Sequence, residues 1–192
     1  MGGVILRTVD PSKREGLAKR FGTTRVELEN ILFLSPSAIQ SELGEITEVE
    51  HWQIVLRHYH QPKESYQEVY NEFFAGDEIN QELIDFARSL KPKYKVGLLS
   101  NAWMNVRENL SAYFDFLNSF DVSIFSAEVG LRKPDERIFN LILDRLDVKP
   151  METVFVDDFS ENIKGATALG LKAIHFAGTG QAIADINKLL EN

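Results

Sequence analysis

A hydroxyl, an amine and two adjacent carboxylates stand out in this sequence because each follows an apolar run: Ser100, Lys133 and the pair Asp157-Asp158. Together they suit a phosphate held beside a hard divalent cation. Magnesium takes oxygen ligands and needs only one or two protein carboxylates, with water and substrate oxygens completing its shell. A lysine is a point charge that offsets phosphate negativity, and Pro134 would stiffen the loop that carries it. Ser100 and backbone N–H groups after the strand can bond phosphate oxygens, and Asn101 beside it supplies an amide. Taken singly, each also has an ordinary structural use. Ser-Asn after a strand makes a turn or a helix cap, Lys-Pro-Asp is a common loop, and adjacent aspartates can cap the next helix.

The elements that must position these residues are short. Four apolar runs, Val96–Leu99, Val122–Phe125, Val154–Val156 and Ala173–Phe176, alternate with helical patterns from about Val106 to Tyr113, Glu136 to Leu146 and Asn162 to Leu169. Such runs read as parallel strands covered on both faces, and ligands collect at their carboxyl ends. Gly170 suits the residue that closes the last of these helices. A further helix over Leu83–Leu90 stops at Lys91-Pro92. From Pro11 to Phe74 the pattern is helical throughout, with a capping box expected at Thr47 and Glu50 before a helix over about Glu48 to Tyr59. The expected fold is α/β, a doubly wound, Rossmann-like parallel sheet with a small helical cap inserted near the N-terminus. The core covers residues 1–10 and 76–192, the cap 11–75.

Composition narrows the partners. The 192 residues are 44% hydrophobic and 26% charged, as in a soluble globular protein. Against 29 acidic residues stand 21 basic ones, a net charge of -8, without a basic cluster that would hold nucleic acid or an anionic membrane. Lys91, Lys93 and Lys95 suit a solvated helix end. No cysteine is present, no run approaches the roughly 20 apolar residues of a membrane span, and the N-terminus lacks the features of a signal peptide. A cytoplasmic location is the default expectation, as a monomer or homodimer. His58 and His60, two apart on a helix, do not share a face for a metal. Trp52 and Phe73-Phe74 read as cap core, and nothing in the pattern orients His51.

The motifs resemble those of the haloacid dehalogenase-like superfamily, and within it the helical-cap phosphatases, including those acting on glucose 1-phosphate. Leu98-Leu-Ser-Asn101 is similar to the family's second motif, Val129-Gly-Leu-Arg-Lys-Pro-Asp-Glu-Arg-Ile-Phe139 to its third, and the run from Thr153 to Gly170, through Asp157, Asp158 and Asn162, to its fourth. The resemblance implies that Ser100, Asn101 and Lys133 hold the phosphoryl group, with Lys133 bridging it to the nucleophile. Asp158 would ligate magnesium, Asp157 would ligate through water or orient from behind, and Asn162 would fix the loop at the next helix. The implied reaction is Mg2+-dependent hydrolysis of a small phosphorylated metabolite through an aspartyl-phosphate, with the cap choosing the substrate.

The first motif departs from the pattern. In the family a strand ends in Asp, any residue, then Asp or Gly, followed by Gly-Val-Ile or similar. Met1-Gly-Gly-Val-Ile-Leu6 matches the second half, with Gly2 at the second-acid position. Gly2 cannot protonate a leaving group, although its backbone carbonyl could ligate magnesium. The nucleophilic Asp would lie just before Met1, on a strand that belongs between those of the second and fourth motifs. Two explanations stand open: a chain cut short at its start, or an inactive scaffold that binds a partner or ligand. Without that strand, orphaned backbone groups at roughly 1–3 kcal/mol each would rival a domain's stability of about 5–15 kcal/mol. Because the flanking strands stay uniformly apolar, a shortened chain is expected, with an apolar run ending in Phe-Asp or similar encoded upstream. A 2-haloacid dehalogenase fits less well, since a metal-free pocket for a carboxylate gains nothing from Asp157-Asp158. A phosphorelay receiver domain would need the acidic pair first and the lysine last.

Overall fold

The computed structural model describes residues 1–113 and 115–191. It is an α/β fold whose two parallel strand pairs lie between helical layers. The pair β3 (Gly97–Ser100) and β4 (Val122–Phe125) runs in register from Gly97↔Val122 to Ser100↔Phe125. The pair β5 (Val154–Asp157) and β6 (Lys172–His175) runs from Val154↔Lys172 to Asp157↔His175. Among the described residues no strand joins β3 to β5. A fifth and sixth strand, β1 (Leu6–Thr8) and β2 (Asp77–Ile79), form a separate antiparallel ribbon. The ribbon was not anticipated: three residues such as Asp77-Glu-Ile79 carry no strand signal, and only the pairing with β1 makes them one.

Alternation along the strands divides the core in two. Leu98, Phe125 and Val156 turn to one face, where they meet Ile84, Leu110 and Ala182 of α6 (Gln81–Leu90), α7 (Val106–Tyr113) and α11 (Thr179–Leu190). Leu99, Ile124 and Phe155 turn to the other, against Ile138, Phe139, Ile142 and Ala166 of α9 (Glu136–Leu146) and α10 (Ser160–Ala168). Both faces being covered explains why the strands read as continuous apolar runs. The expected Gly170 adopts φ +89° just past α10. Val4 and Ile5 are buried with Leu98, Phe125 and Val156, so the N-terminal turn packs where the two strand pairs face each other.

Residues 12–74 form five helices: α1 (Ser12–Arg20), α2 (Arg25–Leu34), α3 (Pro36–Glu42), α4 (Glu48–His58) and α5 (Tyr66–Phe74). The Thr47–Glu50 capping box forms as expected, and Thr24–Glu27 makes a second. The helices close over Leu17, Leu28, Leu32, Trp52, Val55, Leu56 and Phe73. Trp52 and Phe73 are fully buried there. So is His51, whose ring meets Ser37 Oγ and the Leu32 carbonyl at 2.9 Å each. Trp103, from the loop after β3, enters the same cluster and lies 5.3 Å from His51 and 6.2 Å from Trp52, ring centre to ring centre. Among the described residues no helix is long and apolar enough to cross a membrane.

Candidate active site

Ser100 and Asp157 end their strands on the same rim, because β3 and β5 both run toward it. A short helix, α8 (Ser126–Val129), and the loop after it bring Lys133 across from β4. The Lys133 amine, almost fully buried, donates to the Leu99 carbonyl at 3.0 Å and to Asp157 Oδ2 at 2.6 Å. It thereby links the two strand pairs that share no backbone bond. Its backbone is clamped as well. Asn101 Nδ2 donates to the Lys133 carbonyl at 3.0 Å, and Asn101 Oδ1 accepts the Lys133 N–H at 2.8 Å. Asn101, expected on the phosphate, therefore spends its side-chain amide on the lysine loop. Ser100 Oγ is buried and donates to the Asn101 carbonyl at 3.1 Å.

The two aspartates have separate surroundings. Asp157 Oδ1 accepts from the Phe159 N–H and from Asn162 Nδ2, both at 2.9 Å, and its other oxygen takes Lys133. Burial works against ionising it, but the Lys133 charge and these bonds outweigh burial and hold its carboxyl below the usual range. Asp158 bonds no other side chain among the described residues. Burial pushes its carboxyl up, the Met1 ammonium pulls it down, and the Asp157 charge adds to the push. The Met1 amine is itself lowered to about 5, first by burial and then by Lys133, against the pull of Asp157, Asp158 and Glu42. Gly3, at φ +77°, presses its α-carbon on the Asp158 carboxylate, leaving no room for a Cβ. Gly2 is exposed with open space about its α-carbon, so Gly3 is the glycine this packing demands.

The donor set fits magnesium. Asp158 offers a partly buried carboxylate that bonds no other side chain among the described residues, which is what a cation needing one or two carboxylates would take. No group of three or more His, Asp or Glu that could hold a metal occurs among the described residues.

The structure adds residues that sequence reasoning passed over. Glu42, at the end of α3, reaches the rim and accepts Arg132 Nε at 2.7 Å. Nothing marks Glu42 among the many acids of the helical segment, and Arg132 hides beside the more telling Lys133.

Fold and rim together define a hydrolase family. The model of haloacid dehalogenase-like hydrolases matches residues 6–170, and the chain belongs to that family. It is 32% identical over 130 residues to bifunctional epoxide hydrolase 2 of Mus musculus, a match covering 65% of this chain and 24% of that protein. The chain thus spans about a quarter of the length of that relative. It is 28% identical over 123 residues to a phosphorylated carbohydrates phosphatase of Thermotoga maritima, covering 64% of this chain and 55% of the relative. A haloacid dehalogenase-family enzyme of Bacteroides thetaiotaomicron, solved with magnesium and inorganic phosphate, superposes with a TM-score of 0.73 at 25% identity, over 93% of this chain and 92% of that one.

Proposed function

We propose that this chain forms a Mg2+-dependent phosphatase acting on a small phosphomonoester, a sugar phosphate or nucleotide, through an aspartyl-phosphate. The observation that carries the reading is the division of labour at the rim: Lys133 is held between β3 and Asp157, while Asp158 is left unshared. The names of the Thermotoga phosphatase and of the Bacteroides complex with magnesium and phosphate point the same way. In this reading the nucleophile is an Asp immediately before Met1, whose amine already lies among Lys133, Asp157 and Asp158. Magnesium would supply charge neutralisation for the transferred phosphoryl group, held by Asp158 with the Gly2 carbonyl as a further ligand. Lys133 and the Ser100 hydroxyl would hold the phosphoryl oxygens, and Lys133 would keep the nucleophile's carboxylate beside them. Asp157, fully engaged by Lys133, Asn162 and Phe159, orients the lysine. Asn101 locks the lysine's backbone, and residues 11–75 act as the cap that selects the leaving group.

The test compares the 192-residue chain with the same chain preceded by an apolar strand ending in Asp, using an aryl phosphate, sugar phosphates and nucleotides with magnesium. Turnover is expected only in the extended chain, and Lys133→Ala or Asp158→Asn should reduce it by about 10²-fold or more. Phosphate binding by both chains without turnover by either would sink the phosphatase and leave a binding scaffold.

A further inference from the structure

The Lys133 loop is gripped from two sides. From the core, Asn101 bonds both the N–H and the carbonyl of Lys133. From the helical layer, Glu42 accepts Arg132 Nε at 2.7 Å, one residue earlier in the same loop. The contact around that pair is close. Leu43 and Gly44, which follow Glu42, turn against α8. Gly44 sits at φ +73°, and a Cβ there would stand 2.6 Å from the Ala127 carbonyl. The Leu43 carbonyl lies 3.9 Å from the place of a Cβ on Gly130, which itself takes φ +64°. The Glu42 side chain is 11% exposed and that of Arg132 25%, so the pair is better shielded than a surface contact. The Glu42 charge is also felt by Lys133 and by the Met1 amine, which puts it at the edge of the phosphate site.

We propose that Glu42 is a positioning residue of this site: by holding Arg132 it seats the Lys133 loop from the helical layer, so the phosphate-binding lysine is fully set only while α3 is docked. The lysine's amine needs its place between Leu99 and Asp157 within a few tenths of an ångström to serve a transition state. Asn101 alone fixes the backbone at Lys133 but not the approach of the loop through Arg132. Releasing Arg132 leaves a mobile cation beside the site, so ground-state affinity for phosphate is kept while the geometry of turnover is lost. The kinetic part of this proposal rests on the phosphatase reading; the structural part does not.

Hydrogen exchange on the 192-residue chain tests the structural part. In Glu42→Gln, amides of residues 130–135 should exchange roughly fivefold faster, along with those at the end of α3. The ribbon of β1 and β2 should not change. The exchanged pair, Glu42→Arg with Arg132→Glu, should restore protection in both places. Faster exchange confined to α3, or no restoration in the exchanged pair, overturns the proposal. In the extended chain carrying the Asp, Glu42→Gln should lower kcat about tenfold with KM unchanged or lower. The loss should be equal for a sugar phosphate and a bare aryl phosphate. A loss confined to hydroxylated leaving groups would mean that Glu42 touches substrate instead, and would also overturn it. If the extended chain turns over no phosphate at all, the phosphatase reading fails while the exchange experiment still decides the role of Glu42.

Discussion

Two arginines tie the helical layer to the rest of the molecule, and they do so in opposite ways. Arg14, on α1, is 7% exposed and fully engaged. It donates to Asp77 at 2.8 and 2.7 Å, to Glu29 and to the Phe73 carbonyl at 3.1 Å each, and its guanidinium lies 4.1 Å from the Phe73 ring centre. Thr8 donates to the same Asp77 at 2.8 Å, so both strands of the linking ribbon converge on this arginine. Among the described residues, the Arg132 side chain bonds Glu42 alone, at the opposite end. One attachment is a buried network, the other a lone pair at a half-open rim. The difference teaches where the layer can yield: at α3, over the candidate site, and not at the ribbon.

The sharpest way to break the comparison is to remove Arg14. Burial pushes the Asp77 carboxyl up, and Arg14 and Thr8 only partly offset it. The network is therefore no large gain over an apolar packing, yet stripping one partner leaves a buried charge unanswered. Arg14→Ala should cost about 3–5 kcal/mol in urea unfolding followed by circular dichroism. A loss near 1 kcal/mol would make the two attachments equivalent and remove the contrast.

Next in size is an effect inside the layer, between the two attachments. Glu48, in the first turn of α4, is 7% exposed, and its Oε1 has no hydrogen-bond partner among the described residues. Burial raises its carboxyl from 4.5 to about 7, with a hydrogen bond from Tyr70 the only opposing influence. Tyr66 on α5 is pushed to about 12, by burial and then by the Glu48 charge. Since the folded value lies above the unfolded one, Glu48 favours the fold fully below about pH 4.5. That contribution is lost as pH rises through 7. The gap corresponds to about 3 kcal/mol. Unfolding free energy should therefore fall between pH 5 and pH 8, and Glu48→Gln should flatten that slope. A slope unchanged in the variant would show that the carboxyl finds a partner when ionised.

How much of this could be read beforehand follows from the range of the forces involved. Short apolar strands, the helix over Glu136–Leu146 and the Thr47–Glu50 cap are set by neighbours in the chain, and the sequence places them to within a residue or two. The rim residues Ser100, Lys133, Asp157 and Asp158 were legible because strand ends converge on one edge. Asn101 was legible as a site residue but not for its clamp on Lys133, since that depends on a loop 32 residues away. Asp77 and Glu42 were illegible for the same reason: each has a meaning only through a distant arginine, Arg14 or Arg132, which no periodicity reveals. Gly3 could be seen as a motif glycine, but not that its α-carbon would lie on Asp158.

The smallest expected effect sharpens the contrast most. Arg132→Ala removes one pair whose partners keep some contact with water, so the global loss should be no more than about 1 kcal/mol, shrinking further in high salt. Glu42 would then stay behind without its arginine, and burial already raises its carboxyl above the ordinary range. Part of the penalty is relieved when it takes up a proton, so the cost should grow as pH rises. The same urea titrations used for Arg14→Ala measure both. A salt-independent loss of several kcal/mol for Arg132→Ala would make this attachment as firm as the other, and α3 could not be the end that yields.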